Sequence, residues 1–227
     1  NTGPYLTLEG DNNGSRFGDG FVSGHFNDDE HPDLAVSAFE YELSGTCAGD
    51  TCDGAVYVFY GTGGGGYGSP TIIHRYESND IYGERFGIRI GAEDLNGDGQ
   101  DDLVITANAR SDELGRAYVF PGTQEGLLAG TPLWHIDGMG VEHRYGNSLA
   151  VERSGSSSST IWVFSLRANP SGGDYHGDVD DIVVDDGVIP LTPVLSDFTQ
   201  ECNGNRLDWG RLCYADAYEI HGNGLLI

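Results

Sequence analysis

The feature that most constrains this chain is that it repeats itself. Phe17-Gly18, Phe86-Gly87, Tyr145-Gly146 and Trp209-Gly210 each open a similar order of parts, and their starts lie 69, 59 and 64 residues apart. Each aromatic-Gly pair is expected to open a first strand of about six to eight residues, followed by a polar loop. An apolar strand comes next: "DLAVSA", "DLVITA", "TIWVFS" or "LLI". A Gly- and Asp-rich connection leads to a third strand, "AVYVFYG", "RAYVFPG" or "DIVVDDG". A more polar fourth strand, "TIIHRYE", "PLWHIDG" or "TPVLSDF", precedes the next pair, and "PYLTLEG" at residues 4–10 reads as another of these.

Four short antiparallel strands form a sheet that cannot bury both faces alone. Radial stacking into a β-propeller is the common solution, and a linear solenoid is the runner-up. Helical repeats are excluded by the strand-like alternation and by glycine in every candidate segment. The composition agrees: 36 Gly, 12 Tyr, 9 Phe, and apolar runs that are short, aromatic and β-branched. The expected fold is therefore all-β, a single region over 1–227 with repeats starting near 17, 86, 145 and 209, the last incomplete.

The loop between the first two strands of the second repeat, "EDLNGDGQDDLVIT", packs five acidic residues and two glycines into positions 93–102. Oxygen-bearing side chains fall on Asp94, Asn96, Asp98 and Asp102. The carbonyl of Gln100 is the expected backbone donor, and Gly99 permits the turn. Calcium takes six to eight oxygens, which alternate residues of a tight loop can supply. An EF-hand would need a bidentate Glu at position 12 and flanking helices, but position 12 is Ile105 inside a β-branched strand. A merely solvated loop would not explain the alternation. The same register in the first repeat gives His25, Asn27, Asp29, the His31 carbonyl and Asp33. This is a weaker calcium site, with imidazole in the first place and Glu30 where Gly is preferred. In the third repeat the register reads Glu152, Ser154, Ser156, Ser158 and Thr160; in the fourth, Asp216, Tyr218 and Ile220 offer no site.

The order of aromatic-Gly, strand, D-x-N-x-D-G-x-x-D-L loop, apolar strand and a Gly-Ala-Val-Tyr-Val-Phe strand resembles the FG-GAP repeat. That repeat builds the β-propeller of integrin α-subunits and of many secreted bacterial proteins. The resemblance covers most of the chain and is sharpest in the second repeat. It implies one four-stranded blade per repeat, with calcium held between the first two strands. Propellers of the family usually have seven blades. About three and a half repeats would then make a partial propeller, or one completed by oligomerisation.

Charge narrows the partners. The chain has 36 Asp and Glu against 11 Arg and Lys, a formal net charge of -25. That argues against nucleic acid and anionic membrane, and bound cations or salt would offset the self-repulsion. No stretch reaches 18 continuous apolar residues. The close pairs Cys47/Cys52 and Cys202/Cys213 suggest two local disulfides and an oxidising, extracytoplasmic compartment. The chain begins at Asn1 rather than Met, as expected for a processed or truncated product. No nucleophile elbow, zinc-protease or P-loop motif is present. "GTGGGGYGSP" at 61–70 has neither a following helix nor a Lys, and reads as a blade connection. His74 and His135 are expected at matching places in fourth strands. Asp178, Asp180, Asp181, Asp185 and Asp186 read as a solvated blade edge. The expected function is an extracellular, non-enzymatic binding or adhesion module for protein or glycan. The alternatives are a self-assembling surface filament and, less favoured, an accessory domain of a secreted hydrolase.

Overall fold

The computed structural model describes residues 6–10, 14–42, 52–74, 83–109, 114–127, 132, 134–138, 144–153, 158–168, 175–185, 196–198, 221–222 and 225–226. Within them every regular element is a strand. The first sheet holds β1 (Phe21–Gly24), β2 (Asp33–Ala38), β3 (Ala55–Phe59) and β4 (Thr71–His74). The second holds β5 (Phe86–Glu93), β6 (Asp102–Ala107), β7 (Arg116–Phe120) and β8 (Trp134–Asp137). The third holds β9 (Ser148–Arg153), β10 (Ser158–Ala168), β11 (Tyr175–Asp185) and β12 (Ser196–Phe198). A two-stranded piece follows, β13 (His221–Gly222) and β14 (Leu225–Leu226). Each four-stranded sheet runs antiparallel in chain order. This is the meander of a propeller blade, repeated.

Period-2 alternation decides how the blades stack. On β3, Val56 and Val58 face the second sheet, joining Ala35, Ile73 and Phe26 against Phe86, Leu103, Ile105, Tyr118 and Phe120. The alternate residues of β7 and β6, Ala117, Val119 and Val104, turn the other way. With Trp134 and Ile136 they meet Tyr145, Ile161 and Val163 of the third repeat. The outer face of the first sheet carries Tyr57 and Phe59, at the places of Tyr118 and Phe120, and packs under Phe17, Tyr41 and Tyr67. Phe86 meets Tyr118 edge-on at 5.4 Å, and Phe17 meets Tyr57 at 5.1 Å, so the repeat extends to ring geometry.

The aromatic-Gly pair is a joint in each of the first three repeats, and in the second it also starts the strand β5. Arg16, Arg85 and Arg144, just before it, have φ of 57°, 54° and 46°, and Gly18, Gly87 and Gly146 have φ of 91°, 92° and 87°. Two left-handed residues flank each aromatic ring; Phe86 and Tyr145 turn into the seams between blades, and Phe17 onto the outer face of the first sheet. Glycine is obligatory on the partner side. A Cβ on Gly54 would stand 2.2 Å from the Phe86 carbonyl oxygen, and one on Gly115 the same distance from that of Tyr145. Hydroxyls reinforce the seam: Ser37 donates to the Gly87 carbonyl, and Thr106 donates to that of Gly146 at 2.7 Å. In the third blade the equivalent residue, whose carbonyl accepts the Gly146 amide as that of Ser37 accepts Gly18, is Phe164, which has no hydroxyl to give.

Three expectations are corrected. β1 begins at Phe21, not Phe17, whereas β5 does begin at its aromatic, Phe86, with a register shift between Phe86 and Arg89. His74 and His135 are not equivalent. His74 pairs with Ala55, which matches Arg116 and so Asp137, while His135 pairs with Tyr118, which matches Tyr57 and so Ile72. The third strand of the third repeat starts at Tyr175, well before "DIVVDDG". Asp178, Asp180, Asp181 and Asp185 lie on that strand, and Asp186 lies outside the described residues.

Candidate metal-binding loops

The loops joining the first and second strands have one construction in two consecutive blades. In the second, Asn96 Oδ1 accepts from the Asp98 amide at 2.9 Å, and Asp98 Oδ1 accepts from the Gln100 amide at 2.9 Å. Asn96 Nδ2 donates to Asp98 Oδ2 at 3.0 Å. In the first, Asn27 Oδ1 accepts from Asp29 at 3.3 Å, Asp29 Oδ1 accepts from His31 at 2.7 Å, and Asn27 Nδ2 donates to Asp29 Oδ2 at 2.8 Å. The second residue of each loop is its anchor. Leu95 is buried in the seam with the third blade, and Phe26 in the seam with the second.

The closing aspartates are equivalent too, and both are fully buried. Asp102 Oδ2 accepts from the Leu95 amide at 3.1 Å and Oδ1 from the Gly122 amide at 3.0 Å. Asp33 Oδ2 accepts from Phe26 at 2.8 Å and Oδ1 from Gly61 at 2.9 Å. Each thus staples the start of its loop to the end of the third strand. Burial pushes the Asp102 carboxyl up to about 7, further raised by Asp98 and Asp94, although the two amides pull it down. Burial likewise raises Asp33, against the Gly61 and Phe26 amides.

The loops differ at the first position. Asp94 accepts from the amides of Gly97 at 2.7 Å and Gly99 at 3.2 Å, and both glycines are left-handed, at 76° and 93°. His25 has no carboxylate to play that part. Asp28 and Glu30, which replace the glycines, are not left-handed, so the first loop turns without that backbone feature. Outside the loop, Arg153 places Nη1 3.4 Å from Asp94 Oδ2 and 3.8 Å from Glu93 Oε1.

The register of the third repeat is corrected here. Thr160 pairs with Glu152 as Asp102 pairs with Glu93 and Asp33 with Gly24. The first loop position is therefore Arg153, not Glu152, in a loop one residue shorter. A guanidinium stands where a ligand was expected. Ser154 and Ser156 of that loop, and Asp216, Tyr218 and Ile220 of the fourth repeat, lie outside the described residues. Cys52 is buried and disulfide-bonded; Cys47, Cys202 and Cys213 also lie outside the described residues.

Among the described residues no three His, Cys, Asp or Glu side chains are already gathered as a metal cluster. The 94–102 loop nevertheless fits a hard cation by its chemistry. Its donors are all oxygens, and its three carboxylates face backbone amides and one arginine. Asp102 in particular is a buried carboxyl held by two backbone amides, whose ionised form is penalised by burial and would be favoured by a cation beside it. Sequence reasoning missed Asp101, which reaches the first blade. Its only sequence signal is a second acid beside Asp102.

The sheets and loops define an all-β protein built of consecutive four-stranded blades with an oxygen-rich loop in each seam. The FG-GAP repeat family model matches residues 86–120, from the seam aromatic Phe86 through the 94–102 loop to the end of β7. Similar curated proteins include integrin alpha-5 of Xenopus laevis, 35% identical over 99 residues, covering 37% of this chain and 9% of that protein. Phosphatidylinositol-glycan-specific phospholipase D of Homo sapiens is 40% identical over 98 residues, covering 43% and 11%. Integrin alpha-4 of Xenopus laevis is 29% identical over 134 residues, covering 59% and 12%. The chain thus spans about a tenth of the length of these relatives. Residues 86–120 thus match the FG-GAP repeat, the chain is similar over part of its length to integrin alpha chains, and its described strands fold as four-stranded blades of the propeller kind.

Proposed function

We propose that this chain is a calcium-holding propeller region serving as an extracellular or cell-surface binding and adhesion module for a protein or glycan. The observation that carries the reading is the 94–102 loop, an all-oxygen donor set inside the segment matched as an FG-GAP repeat. Asp94, Asn96, Asp98 and Asp102 would hold the ion by side chains, and Gln100 by its carbonyl. Calcium supplies positive charge there and no chemistry: it compensates the buried Asp102 carboxylate and fixes the loop. His25, Asn27, Asp29, the His31 carbonyl and Asp33 would form a weaker site, lacking the first carboxylate. The net charge of -25 steers such a module away from nucleic acid and anionic membranes. No helix of the described residues is long and apolar enough to cross a membrane.

The reading is non-enzymatic for these repeats, and the phospholipase D relative favours, as a lesser alternative, repeats that accompany an enzyme. A self-assembling surface filament is the second reading, and one observation favours it. Phe21 on β1 is 73% exposed, although Ile90, its equivalent by strand register, packs into the seam between the first two blades. The face it edges is the one by which the next blade buries itself. Native mass in calcium and in chelator separates the readings. A discrete particle that binds a protein or glycan in calcium supports the module, and ordered polymers support the filament and overturn the module.

A further inference from the structure

The two acid loops touch through one residue. The His25 amide donates to Asp101 Oδ2 at 2.7 Å, and the Asp101 amide donates to the His25 carbonyl at 2.7 Å. A Cβ on Gly24 would lie 3.0 Å from the same Oδ2, so the small residue there leaves room for the carboxylate. A second link runs beside it. Asp102 Oδ1 holds the Gly122 amide, the neighbouring Thr123 amide donates to the Phe26 carbonyl at 3.3 Å, and the Phe26 amide is held by Asp33 Oδ2. The Asp28 amide adds a bond to the Gln124 carbonyl at 3.5 Å. The closing end of one loop is thereby built into the opening end of the other. In the next seam, strand register puts Ser159 at the place of Asp101, and only its hydroxyl reaches the Asp94 carbonyl, at 3.5 Å.

We propose that Asp101 is a positioning residue that couples the two loops, so that loading the 94–102 loop with calcium holds the 25–33 loop of the neighbouring blade in its bonded form. This rests on the calcium reading above. Asp101 is not in the donor set; it follows Gln100 and precedes Asp102, two members of it, so an ion that fixes those neighbours fixes its carboxylate against His25. Coupling of this kind is reciprocal: whatever orders the 25–33 loop strengthens calcium at 94–102 by the same factor.

Residue-resolved amide hydrogen exchange on the full chain, in calcium chloride and in EDTA, tests the coupling. Calcium should slow the Gln100 amide and, by about tenfold, the His25 amide. In Asp101→Ala the Gln100 response should remain and the His25 response should fall to within about twofold of none; Asp101→Asn, which keeps an acceptor oxygen, should restore it. A Gln100 response without one at His25, or an Asp101→Ala protein that behaves like the native one, overturns the coupling and leaves the calcium site standing. No response at either amide overturns both.

Discussion

Asp33 and Asp102 show what a buried carboxylate does in this architecture before any ion is considered. Each satisfies two backbone amides that no strand partner reaches. Asp33→Ala would leave the Phe26 and Gly61 amides without their acceptor, at roughly 1–3 kcal/mol per buried group. A loss of about 2–6 kcal/mol in urea unfolding is expected, and Asp33→Asn should lose less. Asp53 gives the clearest pH effect. Burial pushes its carboxyl up to about 6, and Glu42 adds to the shift. Its folded value lies above the ordinary one, so the ionised form is penalised in the fold. Its contribution to stability is complete below about pH 4 and is lost as pH rises through about 6. Asp53→Asn should therefore raise the thermal midpoint at pH 7.5 and leave it nearly unchanged at pH 4. At this scale the bonded chain of Asn96, Asp98 and Gln100 was legible because its pattern is local. The partner of Asp101 was not, since His25 lies 76 residues away, and neither was Gly122, 20 residues from Asp102. Arg153 was hidden by a loop one residue shorter than its siblings.

The strands follow from alternation and the blades from repetition, so the order of elements could be read directly. The joints could not. The aromatic-Gly pair looks like the head of a strand, but it works through left-handed backbone at the Arg before it and the Gly within it. Nothing in residue type signals a positive φ at arginine, where the backbone is also held by turn hydrogen bonds from Asp19, Ile88 and Asn147. The glycine that opens the third strand is the counterpart of this joint. Gly115→Ala would drive a methyl to 2.2 Å from the Tyr145 carbonyl at a φ of 77°, a conformation only glycine adopts freely. A loss of about 3 kcal/mol is expected, read as a lower unfolding midpoint, with the seam between the second and third blades opening first in hydrogen exchange. Gly97, also left-handed but with open space around its Cβ position, is the control and should cost about 1 kcal/mol.

At the scale of the molecule, blades stack through apolar seams while the loops carry the acid. Phe26 and Leu95 tie each loop to a seam, so whatever fixes a loop also fixes a blade pair. A chain of net charge -25 repels itself, and a cation held in the 94–102 loop would relieve that repulsion where the acidic loop meets the buried Asp102. Because such a ligand binds the folded state, it should stabilise by mass action, by about 2.7 kcal/mol at a hundredfold excess over Kd. The decisive measurement is the thermal midpoint in calcium chloride and in EDTA, for the native chain and for Asp98→Ala. The native midpoint should rise by several degrees in calcium, and the rise should vanish in the variant. A native midpoint indifferent to calcium, or an equal rise in Asp98→Ala, would contradict the assignment of the site.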